Sequence, residues 1–384
     1  MLTASLVLLT LLSVRQQADT VRARVLATIG EESSTPFLLG EVSGIAIDDS
    51  SRVYISDFQE PRVVVFSSRG RHLATIGRKG EGPGEFTAPT GPVIGPDGAL
   101  YVRNMEQVVR FTRDPASGIA SRFDKTFTGP TMAPWRSKLA SVIDGQGRFY
   151  FPLEVGLRDG LTHYAYRRYG SRDGRKLDSL QVPLYPTSRS SWASVMISEG
   201  TGRVVPGLSM VPFHPVPSWT VSNRGTIISG PADRYELMET DSIGRVVRTL
   251  RRSIGPERIP PRVRGDSLRA LRRRIDSLPV PLSQVRGASE EVKARRLPEY
   301  FPFYRSLVGT PSDELWVRRW TPPAMENSTV VDIFGANGNY AKTLVLPMDC
   351  ANQPAITVRG RLAACVVIDG ETGAESVVVA QLGP

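Results

Sequence analysis

Residues 43–111 contain one pattern twice. The first copy reads Ser43-Gly-Ile-Ala-Ile-Asp48, Arg52-Val-Tyr-Ile-Ser-Asp57, Arg62-Val-Val-Val-Phe66 and Leu73-Ala-Thr-Ile-Gly77. The loop Gly80-Glu-Gly-Pro-Gly-Glu-Phe86 leads to the second copy: Gly91-Pro-Val-Ile-Gly-Pro-Asp97-Gly98, Ala99-Leu-Tyr-Val-Arg-Asn104 and Gln107-Val-Val-Arg-Phe111. Tyr54 and Tyr101 stand 47 residues apart, and so do the two Leu-Ala-Thr-Ile-Gly strings, at Leu26 and Leu73. Short apolar runs separated by Gly-rich turns at a period of ~40–50 residues signal a β-propeller.

Working outward, the same grammar predicts six four-stranded blades, at about 43–77, 90–128, 140–182, 217–250, 303–346 and 355–382. The last of these offers only three strands. Val21 to Gly30 alternates like a strand and matches the outermost strand of the blade ending at Gly77, yet no partners precede it. It is therefore expected to complete the C-terminal blade, which closes the ring and leaves no open sheet edge. Turns between first and second strands repeat one chemistry: Asp48 to Ser51, Pro96 to Gly98, Asp144 to Gly147, Ser222 to Gly225, Thr310 to Asp313. Asp, Asn and Gly suit the tight turns there, so these carboxylates read as structural.

Two segments interrupt the period, 183–218 and 251–302. Both lead from an outer strand to the next inner one, so both are expected on one face of the ring. The second is predicted to hold a small helical insertion, with Asp266 capping a helix that carries Leu268, Leu271, Ile275 and Leu278 on one stripe. Ser289-Glu-Glu-Val292 reads as a second helix start.

Thirty-five glycines and thirty prolines suit a turn-rich all-β chain. The net charge is +10, and the span from Arg245 to Arg296 carries all of it, with fifteen Lys/Arg against five Asp/Glu. Such a patch fits an unknown protein, a glycan or another anionic ligand. No nucleic-acid motif accompanies it, so nucleic acid is not an expected partner. Leu2 to Val14 is apolar but shorter than the ~20 residues a spanning helix needs. It reads as a secretory leader over residues 1–20, with no transmembrane span, which places a monomeric protein outside the cytoplasm, secreted or periplasmic in a bacterium. The two cysteines, Cys350 and Cys365, are able to pair in an oxidising compartment and form no zinc motif.

The Ala74-Thr-Ile-Gly77 string with Gly80 to Phe86, followed by Ile94-Gly-Pro-Asp-Gly-Ala-Leu-Tyr-Val-Arg-Asn104, resembles the NHL repeat. The chain as a whole resembles the bacterial secreted six-bladed propellers of NHL/TolB-like type. That resemblance implies fold more than reaction. The gluconolactonase-type propellers are also similar, and they hold a divalent cation on carboxylate and amide oxygens. The matching strand ends here offer only Asp57 and Asn104; later blades have Leu153, Pro231 and Arg319. A metal-dependent hydrolase or lactonase is thus the alternative reading, and no cofactor is expected under the main one. Gly-x-Ser-x-Gly, His-Glu-x-x-His and P-loop motifs are absent from the sequence, and no catalytic residue is assigned.

The expected function is extracytoplasmic binding on the face covered by the interruptions. The candidate ligand residues are Arg103, Asn104, His214, Arg318, Arg319 and Trp320, because Arg and Trp at strand ends favour binding hot spots.

Overall fold

A computed structural model describes residues 20–30, 38–129, 142–158, 161–185, 192–198, 204–210, 212–276, 297–320 and 327–383. The chain opens with β1 (Thr20–Arg22) and β2 (Arg24–Ile29), then enters blade one: β3 (Val42–Ile47), β4 (Arg52–Asp57), β5 (Arg62–Ser67) and β6 (His72–Ile76). Blade two holds β7 (Pro89–Ile94), β8 (Leu100–Asn104), β9 (Gln107–Arg113) and β10 (Ala120–Thr128). Blade three holds β11 (Val142–Ile143), β12 (Arg148–Arg158), β13 (Leu161–Gly170) and β14 (Lys176–Gln181). A hairpin of β15 (Trp192–Ser198) and β16 (Val204–Met210) follows. Blade four holds β17 (Ser218–Val221), β18 (Ile227–Gly230), β19 (Glu236–Thr240) and β20 (Val246–Arg251), and α1 (Pro261–Asp276) comes next. Blade five holds β21 (Tyr304–Gly309), β22 (Leu315–Arg319), β23 (Thr329–Phe334) and β24 (Tyr340–Leu346). Blade six holds β25 (Thr357–Arg359), β26 (Leu362–Ile368) and β27 (Glu375–Gln381), with β2 as its outer strand.

Every blade is antiparallel, and its first strand faces the axis of the ring. Each gap between neighbouring blades has its own apolar core. Between blades one and two, for example, Tyr54, Val65 and Phe86 pack on Val102, Val109 and Phe111. The aromatic of the second strand recurs there, with Tyr54, Tyr101, Tyr150 and Trp316 all at 1% exposure or less. The Gly-rich loop after blade one is a link between blades: Phe86 donates its amide to Arg78 O, accepts from the Gly80 amide, and drops its ring into the core.

The repeated turn residues are staples. Asp48 accepts from the Ser50 and Arg52 amides through Oδ1, and from Arg52 Nε and the Tyr54 hydroxyl through Oδ2. Asp144 makes the same four contacts with Gln146, Arg148 and Tyr150. Asp97 reaches the Tyr101 hydroxyl and Arg110 instead. Blade four replaces the carboxylate with Ser222, which bonds Thr226, and Thr226 in turn bonds Glu239.

Ring closure follows the expected route, with one correction. Val21 to Gly30 is not one strand. β2 pairs antiparallel with β27 of blade six, whereas β1 pairs parallel with β24 of blade five, in register Thr20 with Thr343 through Arg22 with Val345. The break falls at Ala23, whose amide donates to Val345 O while its side chain is buried in the blade five–six core. The helix is the second correction. It starts at Pro261, a residue that lacks only an N–H the first turn leaves unpaired anyway. Asp266 therefore lies within it, bonded to Arg269 rather than capping. The proposed second helix start at Ser289, and the leader up to residue 19, lie outside the described residues. Among the described residues no helix is long and apolar enough to cross a membrane.

Candidate functional site

The ring has two faces. The turn face carries the loops between first and second strands. The connector face carries the passages from one blade to the next and the loops between second and third strands.

The central channel is a cavity of about 450 Å³ walled by the first strands of all six blades. Close approach of those strands needs glycine: a Cβ on Gly309 would sit 2.2 Å from Val221 O, and one on Gly44 would sit 2.4 Å from Pro92. Its wall is mostly Val, Ile, Pro and Gly, with hydroxyls from Ser43, Thr220, Thr310 and Thr357. Asp144 and Arg359 bring charge to the turn-face end, and both are engaged, Asp144 in its staple and Arg359 with Asp49 Oδ1 at 2.6 Å. None of the six candidate ligand residues lines this cavity.

Asp57 and Asn104 occupy equivalent strand ends and do equivalent work. Asp57 is fully buried and accepts from the amides of Gly40, Glu41, Gln59 and Glu60. Asn104 Oδ1 accepts from the amides of Thr87 and Ala88, at 2.9 Å each, and from the Thr87 hydroxyl. In both blades the side chain ties the incoming connector to the second strand. Their oxygens are spent on backbone, and among the described residues no group of three or more His, Cys, Asp or Glu could hold a metal ion. Arg103 is buried beside Asn104, donates from Nε to Met105 O, and lies 5.8 Å from the Phe151 ring centre. Burial pushes its pKa down to about 10.

Arg318, Arg319 and Trp320 gather on blade five, on the far side of the ring from Arg103 and Asn104. Trp320 packs against Phe213 and Phe301, with ring centres 5.5 and 5.9 Å away, and Phe213 and Phe301 meet edge to face at 5.3 Å. Phe213 belongs to the first interruption and Phe301 to the second. Ile259 and Val263 join them, the latter from α1. Trp320 is thus a packed aromatic that fastens both interruptions to the end of β22. His214 follows Phe213, half-buried. Arg319 Nε stands 4.0 Å from Asp332, a fully buried carboxylate already held by the Tyr235 and Thr343 hydroxyls and by Arg252.

Sequence reasoning missed Arg305. Its guanidinium carbon lies 3.9 Å from the Trp320 ring centre, and burial lowers its pKa. The signal was present in the alignment of the blades, where Arg305 and Arg318 fall opposite Ser43 and Ser56 of blade one. The pairing that the sequence left open for Cys350 and Cys365 is made, in the blade five–six core.

Residues 28–114 match the DUF5128 family, described as a 6-bladed β-propeller. Match and architecture agree. The chain is a six-bladed β-propeller. No curated protein matches it. Among solved structures it is similar to a member of the DUF4221 family from Bacteroides vulgatus, at 10% identity over 94% of this chain and 98% of that one, with a TM-score of 0.46. A protein of unknown function from Bacteroides caccae aligns at 10% identity over 80% and 86%, with a TM-score of 0.39. Virginiamycin B lyase from Staphylococcus aureus aligns at 12% identity over 89% and 95%, with a TM-score of 0.40.

Proposed function

We propose that the protein is an extracytoplasmic binding module of NHL/TolB-like type that takes its ligand on the connector face at blade five. The observation that carries this reading is the Phe213–Phe301–Trp320 lock, which brings both interruptions of the repeat onto the strand end bearing Arg318 and Arg319. A scaffold repeat that spends extra chain at one place on its rim is building a surface there, and loops on a rigid frame are where binding groups concentrate. The arginines make an anionic ligand the natural partner, whether an acidic protein surface or a glycan. The Cys350–Cys365 disulfide supports a location outside the reducing cytoplasm. A metal-dependent hydrolase would need several convergent oxygen ligands, and Asp57 and Asn104 already serve backbone amides.

The test compares the two faces. Full-length protein is used to capture partners from cell-envelope extract, alongside Arg319→Glu on the connector face and Arg359→Glu on the turn face. Thermal melts establish that each variant folds. The expected result is that R319E loses the captured partner and R359E keeps it. Loss only with R359E would move the binding surface to the channel mouth and sink the proposal.

A further inference from the structure

Blade five carries an electrostatic anomaly at a position the repeat makes comparable. In blade one the first strand has a bulge between Val42 and Gly44, which sets Ser43 opposite Ser56 with their hydroxyl oxygens 2.8 Å apart. Blade five keeps that bulge, between Tyr304 and Ser306, and places arginine at both positions, Arg305 and Arg318. A neutral hydrogen-bonded pair has become a pair of cations. Bulges re-aim a side chain locally, so the backbone device is retained while its cargo changes.

Among the described residues the two guanidinium groups are poorly neutralised. The Arg318 side chain is 4% exposed, donates to Ala351 O at 2.8 Å and to Cys350 O, and has a buried Nε that meets no acceptor among the described residues. Arg305 lies over Trp320, and its buried Nε likewise meets no acceptor among them. Among the described residues the carboxylate in reach is Asp349, 3.4 Å from Arg318, with a side chain 64% exposed to water. Asp332, the buried acid of this blade, is taken by Arg252 and two hydroxyls. Burial, reinforced by the charge of Arg305, pushes the Arg318 pKa down to about 10 and burial lowers that of Arg305, while arginine remains cationic in proteins at neutral pH. One buried and one half-buried cation that find no matching buried counter-charge among the described residues are unfavourable, and guanidinium forks suit oxyanions.

We propose that Arg305 and Arg318 form a binding site for a phosphate-class oxyanion, whose two negative charges match the two guanidinium groups. The inference deepens the binding reading at blade five, and it is testable without any macromolecular partner. Isothermal titration and thermal melts would use full-length protein in a buffer free of oxyanions, with sodium chloride at matched ionic strength as the control. Inorganic phosphate and phenyl phosphate are the two probes.

Phosphate is expected to raise the melting temperature where chloride does not, and Arg305→Gln is expected to abolish that response. R305Q should also melt no lower than the parent in oxyanion-free buffer, because it removes a like charge; a merely structural arginine would give the opposite sign. Binding of inorganic phosphate alone supports the site with a free ion as its occupant. Binding of phenyl phosphate as well supports it with an esterified group. Equal responses to phosphate and chloride, or phosphate binding unchanged in R305Q, would overturn it. Phosphate binding that survives R319E while partner capture is lost separates this site from the wider binding surface.

Discussion

Asp48 shows how much of this structure rests on a few buried groups. Its carboxylate collects two amides, one guanidinium and one phenol, and Arg52, which it holds, also reaches Ser117 O and Gly118 O in blade two. Removing one partner of a buried charged network costs about 3–5 kcal/mol. Asp48→Ala should therefore lower unfolding free energy by about 3 kcal/mol in urea titration, and a loss under 1 kcal/mol would show that the staple is ornamental. The phenols give a pH signature. Burial, with the nearby Asp48 or Asp144 charge, pushes Tyr54 and Tyr150 up to about 12. An unfolded tyrosine titrates near 10, so the folded state holds the proton more tightly. The associated stability is complete below pH 10 and is lost as pH rises from 10 to 12. The urea midpoint should be flat from pH 7 to 9 and fall above 10, and Tyr54→Phe with Tyr150→Phe should flatten that fall.

At the scale of elements, the N-terminal segment serves two blades. β2 completes blade six, while β1 crosses to blade five and pairs in the opposite sense. Among the described residues, removing those before Ala23 takes away the three-residue parallel contact of β1 and should shift the urea midpoint little. Removing residues 1–30 leaves blade six with three strands and an unpaired edge, which should broaden the transition and promote association, read by light scattering. The period of the sequence was enough to place most strands, because alternation and turn chemistry report directly on pleat and hairpin. Alternation does not name a strand's partner, so the switch at Ala23 was invisible. Pro260-Pro261 marked the helix start better than Asp266 did, since proline is tolerated in the first turn. The cavity wall was unreadable because inner-strand Val, Ile and Gly look like any other core residues. Asp57 and Asn104 were legible as a pair but not as connectors to backbone amides. Arg305 required a third comparison, the register of one blade against another.

For the whole molecule, the disulfide joins the passage between blades five and six to β26. Its sequence separation is 15, and closing a loop of that size contributes about 3 kcal/mol by restricting the unfolded chain. Cys350→Ser with Cys365→Ser should lower stability by about that amount without altering the circular dichroism spectrum at 20 °C. Reduction of the parent protein should reproduce the shift.

The pairing of Arg24 with Gln381 spans 357 residues of sequence. Its consequence lies in time. On a ribosome β2 emerges long before its partner, 357 residues further on, so blades one to five are able to assemble while the ring still gapes. The final cooperative step has to await the synthesis of β27. Long-range closure of this kind slows folding. A stalled chain lacking β27 would carry β2 with nowhere to dock, and quality control would meet an open horseshoe rather than a wheel.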